Sequence, residues 1–210
     1  MATSGRRPQI VRRVLRAGLS LSPHVVQQLE VYLELLTRWN RRLNLTALRL
    51  EPLADESVDR LLVEPLQAAR HVWASDRTAV DIGSGGGSPA IPLKLAVPHL
   101  HLTLVESKAR KAAFLREVVR TLALRDTEVA NCRFESLQSP PADLITLRAV
   151  RADPDLMVAA RSRLRDDGRL LWFMSLDQTA PQDISEIQDF RLESEERLSP
   201  RSRLVVLRRS

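Results

Sequence analysis

The chain has 210 residues, 44% of them hydrophobic, which is enough for one ordinary core and too little for two full domains. It contains no apolar run of about 18 residues and no signal-like N-terminus, so the sequence predicts a cytoplasmic protein without a membrane span. A net charge of +6 suits a polyanionic partner, although an arginine-rich composition alone also produces it. Because Cys132 is the only cysteine and the four histidines are scattered, internal disulfides are excluded and no metal site is predicted.

Apolar residues at helical spacing predict that the first third of the chain is helical. Ser22 and Pro23 are typical of a helix start, with the serine as N-cap and the proline in the first turn. Apolar residues then recur every three or four positions over Leu29–Trp39. A second helical stretch is predicted over Pro52–His71. We therefore expect an N-terminal helical cap formed by residues 1–70.

Beyond the cap, short apolar runs alternate with helical segments. Strands are predicted at TAVDIG, LHLTLVES, DTEVANC and ADLITLRA, and helices at KARKAAFLREVVRTLAL and DPDLMVAARSRL. Such alternation implies right-handed crossovers and a mostly parallel sheet covered on both faces. Three more runs, GRLLWFMS, FRLESEERLS and SRLVVLRRS, complete seven strands, and the short turn between the last two predicts an antiparallel pairing at one edge. The predicted class is α/β, with the cap docked on a sheet domain of residues 71–210.

A glycine-rich loop follows the first predicted strand directly, in the stretch VDIGSGGGSPAIPL. Gly83, Gly85 and Gly87 alternate there, so the backbone can adopt positive φ and a ligand can approach it closely. Ligands of parallel sheets bind beyond the carboxyl ends of the strands, where the next helix offers free N–H groups. The loop is therefore a candidate cofactor site.

The spacing in this loop favours one class of cofactor. The dinucleotide fingerprint G-x-G-x-x-G fits only with Ala90 in place of its last glycine. Asp81 followed by Gly83, Gly85 and Gly87 resembles, without adjustment, the first motif of S-adenosylmethionine-dependent methyltransferases. A carboxylate at Asp81 would attract a cationic ligand and repel a pyrophosphate. A nicotinamide enzyme is the weaker alternative, because no histidine, tyrosine or lysine is suitably placed for its chemistry.

Two further strand ends carry side chains suited to an adenosine. Glu106 ends the second strand, where its carboxylate can accept hydrogen bonds from ribose hydroxyls or stabilise the start of the next helix. Phe134 follows the third strand and can stack on an adenine, with Glu135 beside it, although ordinary turn packing also explains this aromatic residue.

Several segments together resemble one family, the small-subunit rRNA methyltransferase G proteins, which methylate N7 of a guanine in 16S rRNA. The segments are RWNRRLNLTAL, DIGSGGGSPAIPL, TLVESKARKAAFLREV, CRFES and LRAV, spread over nearly the whole chain. Pro89 and Pro92 are the most family-specific feature. The resemblance implies the seven-stranded Rossmann-like methyltransferase fold, S-adenosylmethionine as cofactor, and 16S rRNA or the small ribosomal subunit as partner. We expect a monomer.

The resemblance also implies individual site residues. It places cofactor contacts at Gly83, Ser88, Phe134, Glu135 and Arg148, and the general fold adds Asp81, Gly85, Gly87 and Glu106. Arg148 would hold either the methionine carboxylate or an RNA phosphate.

The RNA side of the site is a separate hypothesis. We expect one wall of the RNA cleft to be formed by cap residues, namely Trp39, Asn40, Arg41, Arg42 and Asn44. Arg148 would lie opposite, and Asn44 and Arg148 are the candidate catalytic residues. Trp39, Leu43 and Leu45 are expected mainly to anchor the cap on the sheet.

The chain departs from the family pattern at several positions. Ser88 and Ala90 stand where a bulky apolar residue and a glycine are common, and Glu56 and Arg60 replace a histidine and a serine. Phe173–Ser175 replaces a Leu-Lys-Gly sequence, so a basic residue is lost. Two alternatives therefore stay open: a protein that binds S-adenosylmethionine or RNA without catalysis, and a methyltransferase for another, small-molecule substrate. The arginine-rich ends, GRRPQIVRR and RSRLVVLRR, are expected either to bind RNA or to lie in solvent.

Overall fold

A seven-stranded sheet forms the centre of the computed structural model, which describes residues 5–150, 153–177 and 190–210. The strands are β1 Thr78–Ile82, β2 His101–Val105, β3 Thr127–Ala130, β4 Ala142–Arg148, β5 Leu164–Ser175, β6 Phe190–Ser199 and β7 Ser202–Arg209. Their order is β3-β2-β1-β4-β5-β7-β6. Strands β1 to β5 pair in parallel, whereas β7 is antiparallel to both β5 and β6. The predicted α/β class and antiparallel edge are confirmed.

Four helices precede the sheet. They are α1 Arg6–Arg16, α2 Pro23–Leu43, α3 Asp55–Val58 and α4 Glu64–Ala68. Ser22 caps α2 as predicted, because its hydroxyl oxygen accepts a hydrogen bond from the Val25 amide at 3.3 Å. A π-helical turn over Asp59–Val63 joins α3 to α4. The sequence predicts no separate helix at α1. In the structure α1 buries Ile10 and Val14 on one of its faces.

Three helices cross between the parallel strands. They are α5 Ala90–Ala96, α6 Ala109–Thr121 and α7 Pro154–Ser162. A short 3₁₀ turn over Phe134–Ser136 lies in the connection from β3 to β4. Each connection returns the chain to the amino end of a parallel strand, so the loops that leave β1, β2 and β4 gather at one edge of the sheet.

The cap packs on one face of the sheet through an apolar cluster that it shares with α5 and α6. Leu33 and Leu36 of α2 belong to this cluster, together with Phe114 of α6. Trp39 stacks at a tilt on Phe114, with 5.9 Å between ring centroids. Leu43 and Leu45 also pack against the cluster, which confirms these residues as anchors of the cap. A second cluster, on the α7 side of the sheet, covers the opposite face.

The arginine-rich ends lie largely in α1 and β7, and their arginines pair with carboxylates of the same chain. Examples are the ion pairs of Arg12 with Asp55, Arg13 with Asp59, Arg208 with Asp167, and Arg209 with Asp166. Exposed pairs of this kind contribute only about 0–1 kcal/mol each to stability. Their main consequence is that much of the positive charge at both ends is already compensated within the fold.

Two kinds of feature are absent from the described ranges. No helix there has the length and apolar character needed to cross a bilayer. Within the same ranges, no three His, Cys, Asp or Glu side chains are grouped to hold a metal ion.

Candidate active site

Two clefts open where β1 and β4 end, and Gly83 lines both of them. β1 lies between β2 and β4, so the chain leaves it at the point where the strand order changes direction. Crevices at such a switch point are the usual ligand sites of open α/β sheets. The smaller cleft has a volume of about 250 Å³ and the larger one about 530 Å³.

The glycine loop adopts the backbone that its composition predicts. Gly83, Gly85 and Gly87 have φ values of 65°, 46° and 86°, in the left-handed region that favours glycine. A Cβ at Gly83 would lie 2.7 Å from Val150 Cγ2, and one at Gly87 would lie 2.9 Å from Ile91 Cγ1. A Cβ at Gly85 would approach only the Gly83 carbonyl oxygen, at 3.6 Å, so this part of the loop is open to a ligand.

Glu106 holds the glycine loop in place from the end of β2. Its Oε2 accepts a hydrogen bond from the Gly85 amide at 2.9 Å, and its Oε1 accepts one from the Lys108 amide at 2.7 Å. The side chain is buried and lines neither cleft. Each carboxylate oxygen still has a second lone pair. Glu106 therefore organises the loop and the start of α6, and its contact with a ribose stays a prediction.

Asp81 lies beneath the loop, fully buried at the end of β1. Its partner in the parallel register is Thr146 of β4, whose hydroxyl donates to Asp81 Oδ1 at 2.5 Å. Oδ2 is buried and has no hydrogen-bond partner in the described part of the chain. Burial raises the pKa of Asp81 to about 6. Asp81 lines neither cleft, so its predicted contact with a cationic ligand stays a prediction.

The smaller cleft is lined by both apolar and polar side chains. Phe134 and Glu135 line it from the 3₁₀ turn after β3, and Ile82, Val105 and Leu156 contribute apolar walls. The structure therefore brings these two predicted residues to the same cleft as Gly83. Phe134 is itself largely buried, so turn packing also accounts for part of its role.

The larger cleft lies between the cap and the sheet. The segment after α2 supplies one wall, with Asn44, Leu45 and Thr46, and the end of β4 supplies Arg148, followed by Ala149. Asn44 ends α2 in a left-handed conformation, with φ 46°, and is exposed. Both candidate catalytic residues therefore line one cleft, as the hypothesis of two opposing walls requires.

Part of the predicted cap wall does not line this cleft. Trp39, Arg41 and Arg42 line a separate depression of about 350 Å³, not the cleft beside the glycine loop. The reason is helical geometry, since these residues precede the end of α2 and project from a different face than the segment that follows it. Asn40 fixes the segment after α2 that lines the cleft. Its side-chain amide donates to the Thr46 carbonyl at 3.0 Å and accepts from the Thr46 amide at 2.9 Å.

Arg148 ties the sheet to the cap. Its guanidinium donates to Glu64 Oε2 at 2.8 Å, to Ser88 Oγ at 3.3 Å and to the carbonyl of Arg60. It also lies 4.4 Å from the centroid of the Phe173 ring. Burial lowers the pKa of Arg148 to about 10, so the side chain remains charged at neutral pH. Ser88 also contacts the cap, by donating to the Leu61 carbonyl at 2.9 Å.

Sequence reasoning missed the residues through which the cap contacts the glycine loop. The Tyr32 hydroxyl donates to the Gly86 carbonyl at 2.7 Å, and a Cβ on Gly86 would lie 3.2 Å from the Leu45 carbonyl oxygen. Gly86 is the one sequence feature that indicates this contact, because it adds a fourth glycine to a motif that needs three. Glu64 gave no comparable signal, although it binds Arg148 with one oxygen and accepts from the Ser202 hydroxyl with the other, at 2.5 Å.

Solved structures of methyltransferase-like proteins share this fold at low sequence identity. TYW2 of P. horikoshii, solved in complex with MeSAdo, aligns with a TM-score of 0.57 and 17% identity over 70% of this chain and 61% of that one. The mitomycin 7-O-methyltransferase MmcR aligns with a TM-score of 0.59 and 23% identity over 83% of this chain and 60% of that one. At these identities the likeness establishes the fold alone.

Sequence comparison is more specific. The pattern of the GidB family, described as rRNA small subunit methyltransferase G, matches residues 25–190. The ribosomal RNA small subunit methyltransferase G of Chloroflexus aggregans is 40% identical over 161 residues, which cover 73% of this chain and 66% of that protein. The one of Xanthomonas campestris pv. campestris is 39% identical over 168 residues, which cover 78% of this chain and 77% of that protein. The chain therefore belongs to the rRNA small subunit methyltransferase G family, the enzymes that methylate ribosomal RNA of the small subunit.

Proposed function

We propose that this methyltransferase transfers the methyl group of S-adenosylmethionine to N7 of a guanine in the 16S rRNA of the small ribosomal subunit. The observation that carries the proposal is the pair of clefts that meet at Gly83. The smaller cleft is lined by both apolar and polar side chains, Phe134 and Glu135 among them, and the larger one includes basic and amide side chains in its lining. A donor that spans Gly83 would present its reactive end to a nucleotide in the larger cleft.

The residues present fit S-adenosylmethionine. Phe134 and Glu135 would receive the adenine, and the open face at Gly85 leaves room for the backbone of the loop to contact the ligand. Glu106 is bound to the Gly85 amide directly beneath that contact, and we assign it to the ribose. The unpartnered, buried Oδ2 of Asp81 is an acceptor for a cationic group. When bound, the cofactor supplies an electrophilic methyl group. We assign the remaining contacts to Gly83, Gly87, Ser88 and Arg148.

Methylation at guanine N7 depends mainly on how the protein positions the two reactants. The N7 lone pair is free at neutral pH, so no general base is needed, and holding N7 in line at about 3 Å from the methyl carbon is the dominant contribution. Leu45 and Leu61 give the larger cleft apolar walls that exclude water. The Asn44 amide has no hydrogen-bond partner among the residues that the structure describes, so it is available to a base edge. Arg148 is already bound to Glu64, so its role is to hold the cap against the end of β4.

The first test is transfer of labelled methyl groups from S-adenosylmethionine to small ribosomal subunits isolated from cells that lack this modification, followed by nucleoside analysis. Label recovered as 7-methylguanosine is the expected result. Label in another nucleoside would contradict the N7 assignment. No label, in a sample that binds the cofactor, would favour a binding protein or an enzyme for another substrate.

A pair of glycine variants tests the cofactor site. Gly83 and Gly18 have similar φ values, 65° and 72°, but a Cβ at Gly18 meets no atom within 4 Å. Alanine at either position should cost about 1–2 kcal/mol of stability through the left-handed backbone, and Gly83→Ala should cost more because its Cβ would lie 2.7 Å from Val150 Cγ2. Only Gly83→Ala should also weaken S-adenosylmethionine binding, because it changes the boundary between the two clefts. Titration calorimetry of both variants decides this, and equal affinities would remove Gly83 from the site.

The monomeric state, the division of the chain at residue 70 and the cytoplasmic location also belong to this proposal. A cytoplasmic location follows from the proposed substrate, since ribosomal subunits are assembled there. Sedimentation of the purified protein would test the monomer.

A further inference from the structure

The larger cleft contains uncompensated positive charge. Its lining includes three cationic side chains, Arg60, Lys111 and Arg148, and no carboxylate. Arg148 is neutralised by Glu64 at 2.8 Å, in a pair whose side chains are only 11% and 1% exposed. The side chains of Arg60 and Lys111 have no hydrogen-bond or ion-pair partner in the described ranges. Two free cations therefore face one concave site.

These two residues contrast with several arginines of α1 and α2. Arg13, Arg38 and Arg41 all form ion pairs with carboxylates of the cap or of α6. The net charge of +6 is thus spread over a surface where many arginines are already paired. Unpaired cations in a cleft with low-dielectric walls concentrate positive potential there and attract anions.

The backbone that carries Arg60 is anchored to the cofactor loop. Arg60 belongs to the π-helical turn, and such turns often occur at functional sites. The carbonyls of Arg60 and Leu61 accept hydrogen bonds from Arg148 and Ser88, at the glycine loop and the end of β4. The position of Arg60 relative to the reacting centre is therefore set by the fold. Lys111 reaches the same cleft from a second element, α6.

We propose that Arg60 and Lys111 bind the phosphate groups that flank the target guanine and hold the RNA strand across the cleft. This inference rests on the proposed function, because it names the part of the substrate that the site recognises. A guanidinium can bind a phosphate through two parallel hydrogen bonds and an ammonium acts as a point charge, so the two residues suit successive phosphates of one strand. Phosphate contacts position a nucleic acid without reading its sequence, and positioning is what methyl transfer to N7 requires.

A second source of an anion is the carboxylate of the cofactor. That carboxylate is single, and the cofactor's own ammonium group and sulfonium already compensate it, so it does not require two additional free cations. The two sources are separated by measuring cofactor binding without RNA.

The experiment compares Arg60→Gln, Lys111→Gln and the double variant with two controls. Arg110→Gln removes the exposed neighbouring charge on α6, and Arg191→Gln removes an exposed charge on the outermost strand, β6. Binding to small ribosomal subunits that lack the modification is measured at several salt concentrations, and S-adenosylmethionine binding is measured by calorimetry. Melting temperatures check that each variant is folded, since both cleft side chains are partly exposed.

We expect Arg60→Gln and Lys111→Gln each to lower affinity for the subunit by roughly tenfold, the loss of one charged hydrogen bond. The slope of log K against log salt should fall by about 0.7–0.9 for each lost contact. Affinity for S-adenosylmethionine should not change, the two controls should bind like the wild type, and Arg60→Lys should restore part of the affinity.

Three results would overturn the inference: unchanged RNA affinity in the double variant, an equal loss in Arg110→Gln, or weaker cofactor binding with normal RNA binding. The last would assign the cations to the cofactor carboxylate. Failure of the proposed function looks different, because the wild-type protein itself would then transfer no label to the subunit, whatever the variants bind.

Discussion

Asp81 shows how a single residue beneath the glycine loop combines a structural cost with a binding role. Its Oδ1 accepts the Thr146 hydroxyl, whereas its Oδ2 is buried without a partner in the described chain. An unsatisfied buried carboxylate oxygen costs stability in the absence of a ligand. The proposed cationic cofactor would recover part of that cost, which is a physical reason for an acidic residue at this strand end.

The pKa of Asp81 gives the first prediction at this scale. Burial raises the pKa to about 6 from an ordinary value near 3.8, so the folded chain retains a proton that the unfolded chain releases between those values. The stability linked to that proton is present below about pH 4 and is lost as the pH rises through about 6. We expect the unfolding free energy of the wild type to fall, relative to Asp81→Asn, by roughly 3 kcal/mol across this interval.

Urea unfolding of both proteins at several pH values between about 4 and 7 measures this difference. Comparing the two proteins cancels the carboxyls whose pKa values are lowered by ion pairs or amide donors, such as Asp55 and Asp143. A difference that stays constant with pH would show that Asp81 is ionised in the folded protein throughout.

At the scale of elements, the π-helical turn and α4 are joined to the sheet by buried polar contacts. Glu64 of α4 binds Arg148 at the end of β4 and Ser202 at the start of β7. Because both charges are buried, each depends on the other for compensation. The cap wall and the cofactor loop are consequently held in one arrangement, and the larger cleft lies between them.

A double-mutant cycle tests this coupling. Glu64→Gln leaves the Arg148 charge without its counterion and should destabilise the protein by about 3–5 kcal/mol. In an Arg148→Met background the same substitution should cost much less, with a coupling energy of about 0.5–3 kcal/mol. Urea unfolding of the four proteins gives the cycle, and additive effects within about 0.5 kcal/mol would mean that the two residues act independently.

At the scale of the whole molecule, one apolar cluster crosses the predicted boundary at residue 70. It includes Ile10 of α1 and Leu29 of α2, and it continues through Leu93 of α5 and Phe114 of α6 to Leu104 of β2. Apolar surface that stays buried only when the cap is docked would be exposed if the two parts were separated.

This shared core predicts how a shortened chain behaves. A shortened chain of residues 71–210 should lack a cooperative unfolding transition, because it exposes the face that the cap covers in the full protein. Differential scanning calorimetry of the shortened and full-length chains is the measurement. A sharp transition in the shortened chain would show that residues 71–210 form a domain that folds by itself.

The sequence by itself determined the features that depend on neighbours along the chain. Apolar runs of the right length predicted all seven strands, Ser22 and Pro23 predicted the start of α2, and alternating glycines predicted the positive φ of the cofactor loop. These features can be predicted because strand pairing faces, helix caps and the backbone freedom of glycine each depend on only a few consecutive residues. The antiparallel edge followed from the short turn between the last two strands.

Only the tertiary structure decided which side chains meet. It placed Arg41 and Arg42 outside the larger cleft, paired Arg148 with Glu64, and left Arg60 free within the cleft. It also directed the Glu106 carboxylate to the backbone of the loop. These outcomes depend on how the cap docks on the sheet, and docking brings together residues far apart in the chain. Composition and spacing carry no direct record of such contacts, because the free energy that selects them comes from packing two surfaces against each other.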